Sequence, residues 1–139
     1  MKTTNYDKED RNKHLEFIQN AINRMASNSF ILKGWSVTLV TGIIALSLTT
    51  STTKFIYLAF IPTLAFWGLD AYYLRQEKLF RELYDYVRAK EIKNIEPFSL
   101  NTLIVKDNVG SWLSICFSKC VVYLHLMILL ILIVLSIWG

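Results

Sequence analysis

The last twenty residues, Cys120 to Gly139, carry no charged side chain, and their middle, Leu126-Met127-Ile128-Leu129-Leu130-Ile131-Leu132-Ile133-Val134-Leu135, is apolar at every position. Such a run is too long for a strand and too uniform for a helix with one face in water. At 1.5 Å per residue it reaches across the ~30 Å hydrocarbon core of a bilayer. Gly34 to Thr53 is a second uncharged twenty, bracketed by Lys33 and Lys54. Phe55 to Leu74 is a third, uncharged except for Asp70, with Pro62 inside it and Phe66, Trp67, Tyr72 and Tyr73 near its far end as an interfacial aromatic belt. The reading is an all-α integral membrane protein with three transmembrane helices, at 34–53, 55–74 and 120–138, and additional amphipathic helices in the cytoplasm.

Composition agrees. The 139 residues suit one unit, and 53% are hydrophobic while only 19% are charged, against about 25% charged in an ordinary soluble domain. A secreted disulfide scaffold, a disordered tail and a soluble fold are thereby disfavoured. The first apolar run begins after some thirty polar and amphipathic residues, which is a poor signal peptide, so the N-terminus is expected to stay on the mature protein. Lys54 alone lies between the first two spans, whereas the other fourteen of the fifteen basic residues lie before the first span or between the second and third. The positive-inside rule then places the N-terminus and the 75–119 segment in the cytoplasm and the C-terminus outside.

Between the spans the period is helical. Leu15, Ile18, Ile22 and Met25, with Phe17 and Ala21 alongside, make an apolar stripe on a helix over 6–29, free to lie on the membrane or to pack on other helices. Asn28 and Ser29 offer capping chemistry for a new helix opening near Phe30. Leu79, Phe80, Leu83, Tyr84 and Val87 continue the second span as a helix to about Lys93, where Pro97 ends it. The 94–110 loop is expected to hold an extended piece over 98–105, and one helix is expected from Ser111 to residue 138.

The residues offer little catalytic chemistry. No phosphate-binding loop, dinucleotide fingerprint, zinc-protease motif or nucleophile elbow is present, and no enzyme, metal or cofactor is expected. Cys116 and Cys120 read as packing residues, and His14 as an exposed helix residue. Asp70 requires a cation, with Arg75 one turn beyond it and Lys33 at a similar depth on the first span; it is either a structural ion pair or part of ion passage. His125 is costly inside the third span, and either lines a pore and senses pH or bonds a Tyr or Ser of a neighbouring helix. Thr38 and Thr41 stand with Ser36, Gly34, Gly42, Ser47, Thr49 and Thr50 in a first span built for protein contact, either as the wall of an aqueous path or as a packing face. Thr38, Thr41, Asp70 and His125 are thus the pore or gating candidates.

Ten acids accompany the fourteen basic residues outside the first turn, leaving an excess of about four per chain. That charge sets topology and touches anionic lipid, or sums around an oligomer axis into a basin for a polyanion. Arg24, Lys33, Arg75, Lys78 and Arg81 are the expected anion contacts, with Phe80, Tyr84 and Tyr86 placed to stack bases.

Lys13-His14-Leu15-Glu16-Phe17-Ile18-Gln19, Arg24-Met25-Ala26-Ser27-Asn28-Ser29-Phe30 and Lys33-Gly34-Trp35 resemble the opening of small bacterial multi-pass membrane effectors from anti-phage defence operons, nearest to the Hailong transmembrane effectors. The resemblance spans roughly the first seventy-five residues and carries no site residue across. It implies a homo-oligomer in the inner membrane whose cytoplasmic face reads a nucleotide or short single-stranded DNA made by a partner nucleotidyltransferase, and which permeabilises or depolarises the membrane. A passive membrane scaffold or accessory subunit anchoring a soluble partner is the alternative.

Overall fold

A computed structural model describes residues 8–50, 52, 54–89 and 98–138. The chain is helical: α1 (Lys8–Thr50), α2 (Lys54–Arg88), a 3-10 turn (Thr102–Asn108), the short α3 (Trp112–Cys116) and α4 (Lys119–Trp138). Three of these helices, α1, α2 and α4, are long and apolar enough to cross a membrane. At 1.5 Å per residue α1 and α2 are rods of ~65 and ~53 Å, more than a bilayer requires, and α4 at ~30 Å matches it.

The two rods form an antiparallel hairpin, and its seam follows a seven-residue repeat. Ser29 and Ser36, then Val40 and Ser47, are buried on α1, and Ile56, Thr63 and Asp70, with Ala59 and Ala71, are buried on α2. A 3.5-residue period keeps one stripe facing a partner along the whole length, as in a left-handed coiled coil. Nearer the 50–54 turn small and hydroxylated residues alternate with Val40, Ile56 and Ala59, which form a second core with Ile128 and Leu132 of α4. At the far end the seam becomes bulky: Ile18, Ile22, Leu83 and Val87 form a core closed from the side by Val105 of the 3-10 turn. The apolar stripe of 6–29 is therefore spent inside the chain, on the continuation of the second apolar run. Pro62 sits within α2 without ending it. One residue on, the Thr63 hydroxyl donates to the Ala59 carbonyl.

Several expectations are corrected. No new helix opens near Phe30: α1 runs unbroken through Asn28 and Ser29, because Ser29 turns its hydroxyl across the seam to Asp70 and caps nothing. The 98–105 segment is not extended. Asn101 accepts the Leu103 N–H and starts a 3-10 turn, and Phe98 has a φ of 62°, with its ring against His14 and Phe17. His14 is not exposed but fully buried, and its Nε2–H donates to the Ser99 carbonyl at 2.8 Å. Phe80, Tyr84 and Tyr86 pack partly buried against the far-end core. The helix expected over 111–138 is two helices. The Cys116 carbonyl, which a continuous helix would commit to the N–H of Cys120, accepts instead from the Trp67 indole at 2.9 Å, and Ser118 N–H turns back to the Ile115 carbonyl. The end of the α2 extension near Lys93 and the break at Pro97 fall outside the described residues.

α4 packs chiefly on α2, and its Ile128 and Leu132 also share a core with Val40 of α1 and Ile56 and Ala59 of α2. Its buried positions, Val121, His125, Ile128 and Leu132, lie at spacings of four, three and four, a single stripe on an otherwise exposed apolar cylinder. Leu83→Ala in the far-end core is expected to lower stability by about 2–5 kcal/mol, whereas Leu130→Ala on the exposed side of α4 changes it by about 0.5 kcal/mol or less. Chemical denaturation in mixed micelles, followed by circular dichroism, separates the two.

Candidate functional site

Polar side chains from three helices meet where α4 crosses the hairpin. Ser29 and Lys33 are four apart on α1 and so share a face, Trp67 and Asp70 are three apart on α2 and do the same, and His125 stands one turn beyond Val121 on α4. Asp70 is fully buried. Its Oδ1 accepts the Ser29 hydroxyl at 2.5 Å and the Lys33 ammonium at 2.6 Å, and Lys33 also donates to the Ser29 oxygen at 2.8 Å. The three groups form a closed triangle. A carboxylate without water is stable only when paired and hydrogen-bonded, and short charge-assisted bonds of this kind supply both. Lys33 keeps 28% of its side chain exposed, so its stem reaches in from the bundle surface while Asp70 stays dry.

The other carboxylate oxygen is free of hydrogen bonds. Asp70 Oδ2 faces His125, 4.0 Å from Nδ1. Because the Val121 carbonyl can only accept, its 3.0 Å contact with Nδ1 fixes the hydrogen of His125 on that nitrogen. Nε2 is then a buried lone pair without a partner. The imidazole lies flat on Trp67, ring centroids 5.9 Å apart and planes at 15°. Trp67 thus carries three duties: it stacks on His125, meets Phe117 edge-on and binds the Cys116 carbonyl that breaks the helix. Ser36, two turns from Ser29 along the same seam, has a buried hydroxyl with no hydrogen-bond partner.

The expected site residues divide. Asp70 takes its cation from Lys33, not from Arg75, whose Nε–H donates to the Gly110 carbonyl at 3.2 Å and, with the Trp112 indole on Gly68, staples the chain before α3 onto α2. His125 neither lines an open path nor bonds a Tyr or Ser. It is sealed and bonded to its own helix. Of the five residues expected to hold a polyanion, Lys33 is committed to Asp70, Arg75 to Gly110 and Arg81 to Glu77 at 2.7 Å, while Arg24 and Lys78 are exposed. Thr38 is exposed on the side of α1 away from the seam, and Thr41 is exposed at the edge of a groove between α1 and α4, with Val37, Ile44, Leu124 and Met127. Cys116 and Cys120 belong to different helices, one buried and one exposed. Among the described residues no group of His, Cys, Asp and Glu is placed to hold a metal. The sequence reading gives Ser29 to a helix cap and Trp67 to an aromatic belt and makes neither a site residue, although each lies one helical turn before one that is.

The chain matches no known protein family, no curated protein and no solved structure.

The unequal exposure of the ion pair gives unequal mutations. Lys33→Met strands a dry carboxylate on a single hydroxyl and is expected to destabilise by about 3–5 kcal/mol. Asp70→Leu is expected to cost clearly less, since the freed ammonium can swing outward, and the double variant less than Lys33→Met alone. Denaturation midpoints of the three proteins measure the order. Burial also pushes the Cys116 thiol above its ordinary range, so at neutral pH a maleimide is expected to modify Cys120 first, with Cys116 lagging until the pH is raised or the protein is unfolded.

Proposed function

We propose that this chain is the subunit of a homo-oligomeric effector in the bacterial inner membrane, which permeabilises or depolarises that membrane under the control of a nucleotide or short oligonucleotide at its cytoplasmic face. The observation that carries the reading is the outer face of α1. Gly34, Thr38, Gly42, Ala45 and Thr49 recur at three- and four-residue spacings, all exposed, opposite the seam with α2, and Thr41 is exposed at the edge of that face, where α1 borders α4. A Cβ added at Gly34 or Gly42 would meet nothing within 4 Å. No contact within the chain asks for glycine there, yet each costs the helix about 1 kcal/mol relative to alanine. In a bilayer, small and hydroxylated residues on a helix face are what a second helix needs for close approach, and threonine hydroxyls suit a water-lined wall better than lipid.

In this arrangement α4, aliphatic on its free sides, faces lipid, the 50–54 turn lies outside the cell and the far end of the hairpin is the cytoplasmic arm. The resemblance to anti-phage membrane effectors supports the same reading. Ligand control takes the form of a population shift, driven by whatever difference in affinity the polyanion has for the closed and open arrangements. Arg24 and Lys78 carry the free positive charge on the arm, and Arg81 is available in exchange for its exposed pair with Glu77, a type of contact that is individually weak. The scaffold alternative would offer a partner what remains exposed on the arm, Phe17, Phe30, Leu103 and Ile104, since Ile18, Ile22, Leu83 and Val87 are spent on one another. Nothing in the chemistry of the cluster suggests catalysis.

Two substitutions test the reading. Gly34→Leu/Gly42→Leu is expected to leave the subunit folded but to abolish self-association in native mass spectrometry and depolarisation of expressing cells. Lys78→Glu/Arg81→Glu is expected to preserve assembly and to weaken short-oligonucleotide binding at least tenfold. A glycine variant that still assembles and depolarises cells would refute the pore wall, and unchanged oligonucleotide binding would refute the ligand face.

A further inference from the structure

The short helix α3 is apolar on the side that it turns away from the protein. Ile115 and Cys116 pack with Ala71, Trp67 and Leu74 of α2 and Val121 of α4, whereas Trp112, Leu113 and Phe117 face outward. Leu113 is 62% exposed and Phe117 71%. With Leu64 and Gly68 of α2 they border an apolar furrow, so the exposed surface continues from α3 onto the apolar run of α2. A contiguous patch of large apolar side chains marks an interaction surface, and its depth along the hairpin says which one.

Hydrogen bonds to α2 fix that depth. The Gly110 carbonyl is held by Arg75, and two residues later the Trp112 indole donates to the Gly68 carbonyl. Between these contacts the chain descends along α2 from Arg75 to Gly68, ~10 Å towards the 50–54 turn. The Trp67 indole then takes the Cys116 carbonyl, after which α4 starts at Lys119 and packs Val121 near Ala71. α3 therefore crosses α2 inside its 55–74 apolar run, at the level where α4 begins. A 20-residue helix matches the hydrocarbon thickness, so its first turn lies at one boundary of the bilayer, and α3 lies there with it. Tyr72, exposed on α2 at the same level, suits that boundary too.

We infer that α3 is an in-plane membrane-surface helix: Trp112, Leu113 and Phe117 enter the leaflet nearer the far arm, where head groups meet acyl chains, and Lys119 reaches lipid phosphate. The polar groups of the segment are arranged for this. Lipid offers no hydrogen bonds, so backbone set against it is satisfied within the protein. The carbonyls of Ser111, Ile115 and Ser118 accept N–H groups from within 111–122, the Cys116 carbonyl accepts from Trp67, and the Ser111 hydroxyl accepts the Ser114 N–H. Because the Trp112 indole hydrogen is turned inward to Gly68, the ring presents hydrocarbon outward. From Gly110 to Gly139 the only charged side chain is Lys119, exposed where α3 gives way to α4, so anionic head groups meet a cation there and no acid of this segment. The leaflet thereby holds the α3–α4 joint against the hairpin. The inference rests on the reading that α1, α2 and α4 cross a membrane and not on the oligomer, the pore or the ligand.

Spin labels read the depth directly. In full-length Cys120→Ala protein, whose remaining Cys116 is buried, single cysteines are placed by Leu113→Cys, Phe117→Cys, Leu130→Cys on α4 and Leu103→Cys on the arm, all at exposed positions that leave the packing intact. The labelled proteins are reconstituted in vesicles of phosphatidylethanolamine and phosphatidylglycerol, and relaxation by oxygen, which enters lipid, is compared with relaxation by a nickel chelate, which stays in water. The oxygen-to-nickel ratio at 113 and 117 is expected to exceed that at 103 by about threefold or more and to approach that at 130. A ratio at 113 and 117 equal to that at 103 would place α3 in water and overturn the inference. Shielding of both positions from both reagents would show them covered by protein, such as a second copy of the chain, and would overturn it equally. A water-like ratio at 130 would remove the membrane reading itself, whereas a lipid-like 130 with a water-like 113 and 117 removes this inference alone.

Discussion

The register of the hairpin depends on one interaction, the buried carboxylate of Asp70 held by Ser29 and Lys33. The rest of the seam between Ser29 and Ser47 mixes small hydroxylated residues with Val40 and Ile56, and such neutral contacts tolerate a slip of one turn better than a charge does. What a slip cannot survive is the separation of Asp70 from its cation. From Gly34 to Thr50 α1 carries no other charged side chain, so every displaced alignment in that direction leaves a dry carboxylate unpaired. Small residues set how close the helices come, and one ion pair sets where along each other they stop. A buried polar group that specifies alignment at some cost in stability has the same logic as a lone polar residue in a coiled-coil core.

The two ends of the hairpin are packed by different rules. Towards the 50–54 turn serines and Thr63 alternate with Val40, Ile56 and Ala59, whereas the far end is bulky and aliphatic throughout, closed by Val105 and by the His14 bond to Ser99. Water drives large apolar side chains together, whereas lipid gives no such drive and rewards close backbone approach and bonds between helices. The seam changes its composition near the level of Lys33 and Asp70, which is also where α3 and the start of α4 join. Trp67 concentrates the junction in one side chain, touching α3 through a carbonyl and α4 through an imidazole.

The sequence shows the long helices through physics that is local. Run length marks three helices able to cross a membrane, and the spacing of Leu79, Leu83 and Val87 carries α2 well past its apolar run. It narrows the partner of Asp70 to Lys33 or Arg75, since both lie within reach in depth, but the choice depends on rotation of one helix against another, which no spacing records. Ser29 misleads because the same hydroxyl serves as a helix cap or as a donor across a seam. The break between α3 and α4 is invisible for a different reason: it is made by Trp67, forty-nine residues earlier, taking the Cys116 carbonyl. Likewise the burial of His14 is due to a segment eighty-five residues away. Local pattern gives elements; distant side chains decide where they stop and what they cover.

The unbroken course of α1 through Ser29 has a mechanical consequence. A helix with no proline, bulge or turn between its ends transmits rotation about its axis with little loss, and α1 and α2 are locked side by side over most of their length. Torque applied to the far arm therefore arrives at Thr38 and Thr41 as a turn of the outer face. The joint at Phe117 and Ser118 lies in the lighter part of the molecule. The hairpin behaves as a crankshaft and α4 as the piece that swings against it.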